Sequence, residues 1–262
     1  MITRSSAADR AVARRTSGPR GPWRLRELAC TVAASLLVGV GLYQVHRAKS
    51  QGLGEIDQGI AAKQLLNLNK VDSQEQLLPA LTMLGDPAER LFAARKIYYL
   101  STGHMSNVGA LARARVTAEE LSLARGTLGN AGLKSFRDRL AASHPGAGRE
   151  SIPLLTGEQF RALKPLFVVR TPAQFHKAVA LWAVLFFAAF LVVHVWWSLR
   201  GFTGDQLFLP AVLALSGIGL ILMISLRDPV RDNLLFVDFA QGAAAGALLL
   251  AMFGSLDYQR LL

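Results

Sequence analysis

Residues 206–254 decide how the rest of the chain is read: QLFLPAVLALSGIGLILMISL (206–226), RDPVRDN (227–233) and LLFVDFAQGAAAGALLLAMFG (234–254). The first run carries no charge, and at about 1.5 Å of rise per residue it can cross a hydrocarbon core of roughly 30 Å as one helix. The second is apolar apart from Asp238 and Gln241. Between them the charges and the proline of Arg227 to Asn233 break the apolar run, so the pair reads as a membrane hairpin. In the second helix Asp238, Gly242 and Gly246 fall at i, i+4 and i+8, with Gln241 beside them on one face. Small residues let another helix approach closely, and a carboxylate at mid-membrane costs about 2.5–3.5 kcal/mol. Asp238, Gln241, Gly242 and Gly246 are therefore expected to pack against another helix.

Working outward, Arg200 to Asp205 forms a turn after a further apolar run, Ala178 to Leu199. Trp182 near one end of that run and Trp196 and Trp197 near the other fit the headgroup level where indoles settle. Thr171-Pro172 supplies a cap and a first-turn proline before it. His194 is expected to hydrogen-bond a neighbour rather than to carry protons. Another run, Leu28 to Val45, is just long enough to span. It lacks a small-x-small cleavage pattern after it, which favours an uncleaved anchor over a signal peptide.

The segment between these two runs is polar and cannot lie in lipid. Its punctuation is helical: Asp86-Pro87, Thr117 with Glu120, and Thr156 with Gln159 have capping geometry in sequence. Roughly five short helices are expected, with a loop from Ala141 to Ser151 and a short extended piece at Phe167-Val168-Val169. The chain is thus an all-α membrane protein with four transmembrane helices and a mainly helical extracytoplasmic domain between the first and second. Its parts are a flexible basic tail (1–27), spans at 28–45, 178–199, 206–226 and 234–254, the domain (46–177) and a cytoplasmic end (255–262). Arg4, Arg10, Arg14, Arg15, Arg20, Arg24 and Arg26 place the N-terminus inside by the positive-inside bias, and the domain outside.

Composition agrees with a membrane class. Of 262 residues 52% are hydrophobic and the net charge is +11. In a membrane protein that charge reads as cytoplasmic flanks and contact with anionic lipid rather than nucleic acid. Leu65 to Asp72, followed by Gln76-Leu77-Leu78-Pro79, has a faint likeness to a helix-hairpin-helix entry. The paired glycines that would meet phosphate are missing from Ala80 to Gly85, so nucleic acid is the third-ranked partner. Cys30 is the single cysteine. His46, His104, His144 and His176 have no acidic or cysteine partner at ligand spacing, so no metal and no cofactor is expected.

The hairpin resembles the opening of the FtsW/RodA/SpoVE family. The likeness lies in Gly204-Asp205-Gln206, in Gly217 and Gly219, in Arg227-Asp228-Pro229, in Phe239-Ala240-Gln241-Gly242, and in Asp257-Tyr258 at the exit. It covers roughly residues 200–262. The resemblance implies a bacterial inner-membrane protein of peptidoglycan synthesis, cell division or cell shape, with lipid II and a penicillin-binding protein as partners beside the membrane lipids. It also implies that the carboxylate of glycan transfer, which the family carries late in its core, has no matching position in this chain, so no catalytic residue is assigned. The competing reading is a complete four-span, non-catalytic envelope protein whose exported domain binds a partner.

Overall fold

The computed structural model describes residues 24–128, 132–142, 151–202 and 204–254. Most of the basic tail, the loop about His144 and the end segment with Asp257 and Tyr258 lie outside these residues. In chain order the elements are α1 (Leu25–Ser50), α2 (Leu53–Ala61), β1 (Leu66–Asn67), α3 (Pro87–Thr102), α4 (Ala110–Arg113), β2 (Arg115–Thr117), α5 (Ala118–Leu128), α6 (Lys134–Ala142), β3 (Ser151–Pro153), α7 (Gly157–Leu163), β4 (Phe167–Val168), α8 (Pro172–Leu199), α9 (Phe208–Leu226) and α10 (Leu235–Gly254). Short 3₁₀ turns cover Leu68–Lys70, Gln74–Leu81 and Lys164–Leu166. The chain divides into two compact units, one of Met1–Leu42, Trp182–Leu220 and Phe239–Leu262, the other of Tyr43–Leu181 and Ile221–Asp238.

Among the described residues α1, α8, α9 and α10 are long and apolar enough to cross a membrane. Two of them outrun their apolar sequence. α1 continues to Ser50 because nothing from Gln44 onward breaks a helix until Gly52, whose φ of 81° is left-handed. α8 begins at Pro172, where Thr171 Oγ1 accepts from Gln174 N at 3.3 Å and Gln174 Oε1 accepts from Thr171 N at 2.8 Å. The reciprocal bonds satisfy two of the amides that a helix start leaves bare.

In the first unit α8 buries Phe186, Phe190, Val193 and Trp197, one stripe at helical spacing. α9 buries Leu209, Leu213 and Leu220, and Gly217 lies in the same row. A Cβ on Gly217 would overlap the Val38 side chain of α1, and one on Gly219 would meet the Phe239 ring of α10. Hydrogen in place of a side chain is what admits these two neighbours. The outward faces carry exposed Leu36, Leu37, Leu215, Ile218, Leu248 and Leu249, a surface that suits lipid.

In the second unit a core of Leu77, Leu81, Phe92, Ile97, Val108, Leu111, Phe136, Leu154 and Phe167 is fully or nearly fully enclosed. The caps read from sequence form as written: Asp86 accepts from Ala88 N at 2.9 Å, and Thr156 and Gln159 make a reciprocal box. Glu120 N donates to Thr117 Oγ1 at 3.2 Å while Thr117 N donates to Glu120 Oε2 at 3.1 Å. Glu89, buried on α3, accepts from Ser135 N and Ser135 Oγ, both at 2.7 Å, and so ties α3 to the start of α6.

The all-α expectation needs one amendment. β1 pairs in parallel with β4, Leu66 opposite Phe167, and β2 pairs antiparallel with β3, Val116 opposite Ile152. Strands of two or three residues are too short to show an alternating pattern, and each partner lies far along the chain. Only the 167–169 piece was legible beforehand.

The Gly217 contact yields a test. Gly217→Ala should lower the melting temperature of the detergent-solubilised protein, since overpacking typically costs about 1–3 kcal/mol. Val38→Ala added to it should recover part of the loss, which a purely local effect of the new methyl on α9 would not allow.

Candidate functional site

The polar centre of the first unit is built from residues that the sequence placed in a flexible tail. Arg24 and Glu27 stand at the start of α1, where a carboxylate in the first turn suits the helix dipole. Glu27 is wholly buried and Arg24 is 8% exposed. Arg24 Nη2 lies 2.5 Å from Glu27 Oε2, and His194 Nδ1 donates to Glu27 Oε1 at 2.8 Å. Arg24 also donates to the carbonyls of Phe202 at 3.3 Å, Gly204 at 2.9 Å and Asp205 at 3.1 Å. Its guanidinium sits over the stacked rings of Trp197 and Phe202, at 5.6 and 5.2 Å from their centroids. The basic-tail boundary is corrected accordingly: a formal charge beside an apolar run looks like a flank until the partner, His194, arrives from far along the chain.

This cluster gathers the motif residues at the turn into α9. Gly204 is held by its carbonyl, and a Cβ there would overlap the Phe202 ring. Asp205 Oδ1 accepts from Leu207 N at 2.9 Å. Gln206 Oε1, Thr31 Oγ1, Trp197 Nε1 and Ser198 Oγ are buried with no hydrogen-bond partner among the described residues. Gly217 and Gly219 serve helix packing inside the first unit. On α10, Asp238, Gln241, Gly242 and Gly246 are all exposed, and nothing lies within 4 Å of a Cβ built on either glycine. The close contacts of α10 use Ala240, Ala247 and Ala251 instead. Asp257 and Tyr258 fall outside the described residues.

The second unit has its own polar hub. Val230, in the turn between α9 and α10, is fully buried, and its carbonyl accepts from Val169 N at 2.9 Å and Arg170 N at 3.3 Å. Arg170 donates to the carbonyls of Pro229 at 3.1 Å and Ser106 at 3.0 Å, and Val108 N donates to Arg231 O at 2.8 Å. Burial draws the Arg170 guanidinium below the ordinary arginine pKa, while Asp228 and Asp232 oppose that shift. Arginine stays charged in such a setting. Asn69 works similarly within the domain: its Nδ2 reaches the carbonyls of Met105 at 2.8 Å and Val169 at 2.7 Å, and its Oδ1 takes Met105 N at 2.7 Å. The asparagines that gave a likeness to a nucleic-acid module thus meet the domain's own backbone.

The carboxylates of the turn and the His46–His176 pair are engaged structurally. Asp228 accepts from Val230 N at 2.9 Å, from Arg231 N at 3.1 Å and from Arg231 Nη1 at 3.0 Å. Asp232 faces Lys164 at 3.7 Å. His46 Nε2 and His176 Nδ1 lie 2.8 Å apart, so one ring donates to the other, and His46 stacks on Phe175. Among the described residues no group of three or more His, Cys, Asp or Glu could hold a metal ion. The arrangement chelates backbone and joins helices.

Removing one partner of a buried ion pair strands the other, at about 3–5 kcal/mol. Glu27→Ala should therefore destabilise the purified protein strongly in thermal unfolding. Glu27→Ala with His194→Ala should cost less than the sum of the two single changes, and additive losses would show that the two side chains do not interact. No family model, curated protein or solved structure matches this chain.

Proposed function

We propose that residues 1–262 are the N-terminal membrane portion of a FtsW/RodA/SpoVE-like protein of peptidoglycan synthesis in the bacterial cytoplasmic membrane. In this reading they are a non-catalytic anchor that carries an exported helical domain for binding a partner. The observation that carries the reading is where the motif residues fall. Gly204 lies under the Arg24 clamp, Gly217 against Val38 and Gly219 against Phe239, positions at which a larger residue would collide. At these three positions of the likeness the packing of this chain admits no side chain without a shift of the neighbour. The carboxylates Asp205, Asp228 and Asp232 are each occupied in turns, which leaves none of them poised as a general base.

The second reading, a complete four-span envelope protein that recruits a partner, is favoured by one separate observation. The domain has its own enclosed core and is fastened by Val169 and Arg170 to the turn 227–233. A domain with its own core and a fixed seat could recruit a partner without further helices, as this second reading requires. The open frame of the genomic DNA after codon 262 separates the two.

The N-terminal arginines orient the protein with its N-terminus in the cytoplasm and residues 46–177 outside. Protease added to intact spheroplasts should cut within the domain, whereas a reporter fused after Leu262 should stay protected; cutting only after lysis would reverse the topology. The purified chain in liposomes with labelled lipid II should form no glycan strands above a no-protein blank, with an established polymerase as the positive control. Strand formation by this chain would overturn the non-catalytic assignment.

A further inference from the structure

The second unit holds a groove of about 660 Å³ between α3 and α5. Its lining includes Leu91, Phe92, Tyr99 and Leu123, the last two 61% and 70% exposed. Among the described residues from Leu53 to Val169 only Met83, Tyr99, Leu100 and Leu123 are large apolar residues left exposed. Two of the four, Tyr99 and Leu123, line this groove. Its volume falls in the range of about 300–1,000 Å³ typical of sites that enclose an organic ligand, so it suits several side chains rather than an ion.

The charges on the rim select the occupant. Lys96 is paired with Glu120, so that cation is already neutralised. Arg95 lies over the Tyr99 ring at 5.8 Å and has no carboxylate within salt-bridge distance among the described residues. A guanidinium beside an aromatic ring still has N–H donors to offer a planar carboxylate. An apolar floor with one free arginine fits an amphipathic segment lying between two helices, with an acidic residue one turn from its apolar anchor.

We propose that the α3–α5 groove binds an acidic amphipathic peptide segment of a partner protein, its large apolar side chain between Tyr99 and Leu123 and its carboxylate on Arg95. This rests on the reading of the exported domain as a partner-binding module. The probe is a short fluorescein-labelled peptide of glutamate, alanine and leucine with one apolar helical face, titrated onto the full chain in lipid nanodiscs. An otherwise identical peptide with lysine for glutamate is the charge control, and empty nanodiscs give the background. The acidic peptide should bind at least about tenfold more tightly than the basic one, a difference of about 1.4 kcal/mol. Arg95→Glu should invert that preference and Leu123→Asp should weaken both. Both positions are exposed, and an unchanged melting temperature verifies that each variant is folded. Equal binding of the two peptides, or no response to either substitution, overturns the proposal.

A photocrosslinking residue placed in cells at Leu123, or at exposed Arg161 on α7, separates this proposal from the reading beneath it. Adducts to another protein from Leu123 that disappear with Arg95→Glu support the groove. A second copy of this chain captured at Leu123 replaces the peptide by self-association. Adducts from Arg161 alone overturn the groove and keep a partner-binding domain, and adducts from neither position overturn both.

Discussion

A carboxylate with no exposed surface has to be met inside the protein, and Glu27 is met twice, by Arg24 and by His194. Desolvating these groups is expensive, so the cluster is poor evidence of added stability. What it provides is register. With Glu27 on His194, Arg24 reaches the carbonyls of Phe202, Gly204 and Asp205, which fixes how the chain turns between α8 and α9. The same first unit brings Val38 of α1 onto Gly217 of α9. An N-terminal helix joined at both places is part of the first unit.

The second unit depends on backbone pairing between distant segments. β1 and β4 bring the entry and the exit of the domain side by side, and Asn69 fastens the same ends through Met105 and Val169. Val169 and Arg170 then carry the pairing onto Val230. The domain and the turn 227–233 consequently belong to one body. A binding surface on such a body loses little freedom when a partner arrives, which is the benefit of preorganisation.

Small residues on the spans do two different things. Gly217 and Gly219 are filled by neighbours in this chain, and mutation there is felt directly. Gly242 and Gly246, with Asp238 and Gln241, remain open on α10. The FtsW/RodA/SpoVE-like reading gives that open stripe a meaning, because such a protein would continue into further helices.

Much of the architecture was legible in the sequence because it rests on local physics. Runs such as 206–226 must be helices in lipid, since an extended backbone there could not satisfy its own hydrogen bonds. Asp86, Thr117, Thr156 and Thr171 announced their helices because a cap involves residues only two or three apart. The small-residue positions were visible as well, but not which of them the chain itself would fill. That choice, the pairing of Glu27 with His194, the short ladders and the seating of Val230 all join residues far apart in the chain. Composition and period carry no record of such partners, so only the tertiary structure decided that Arg24 and Glu27 belong to the core rather than to the tail. It alone decided, too, that Arg95, Tyr99 and Leu123 share one groove.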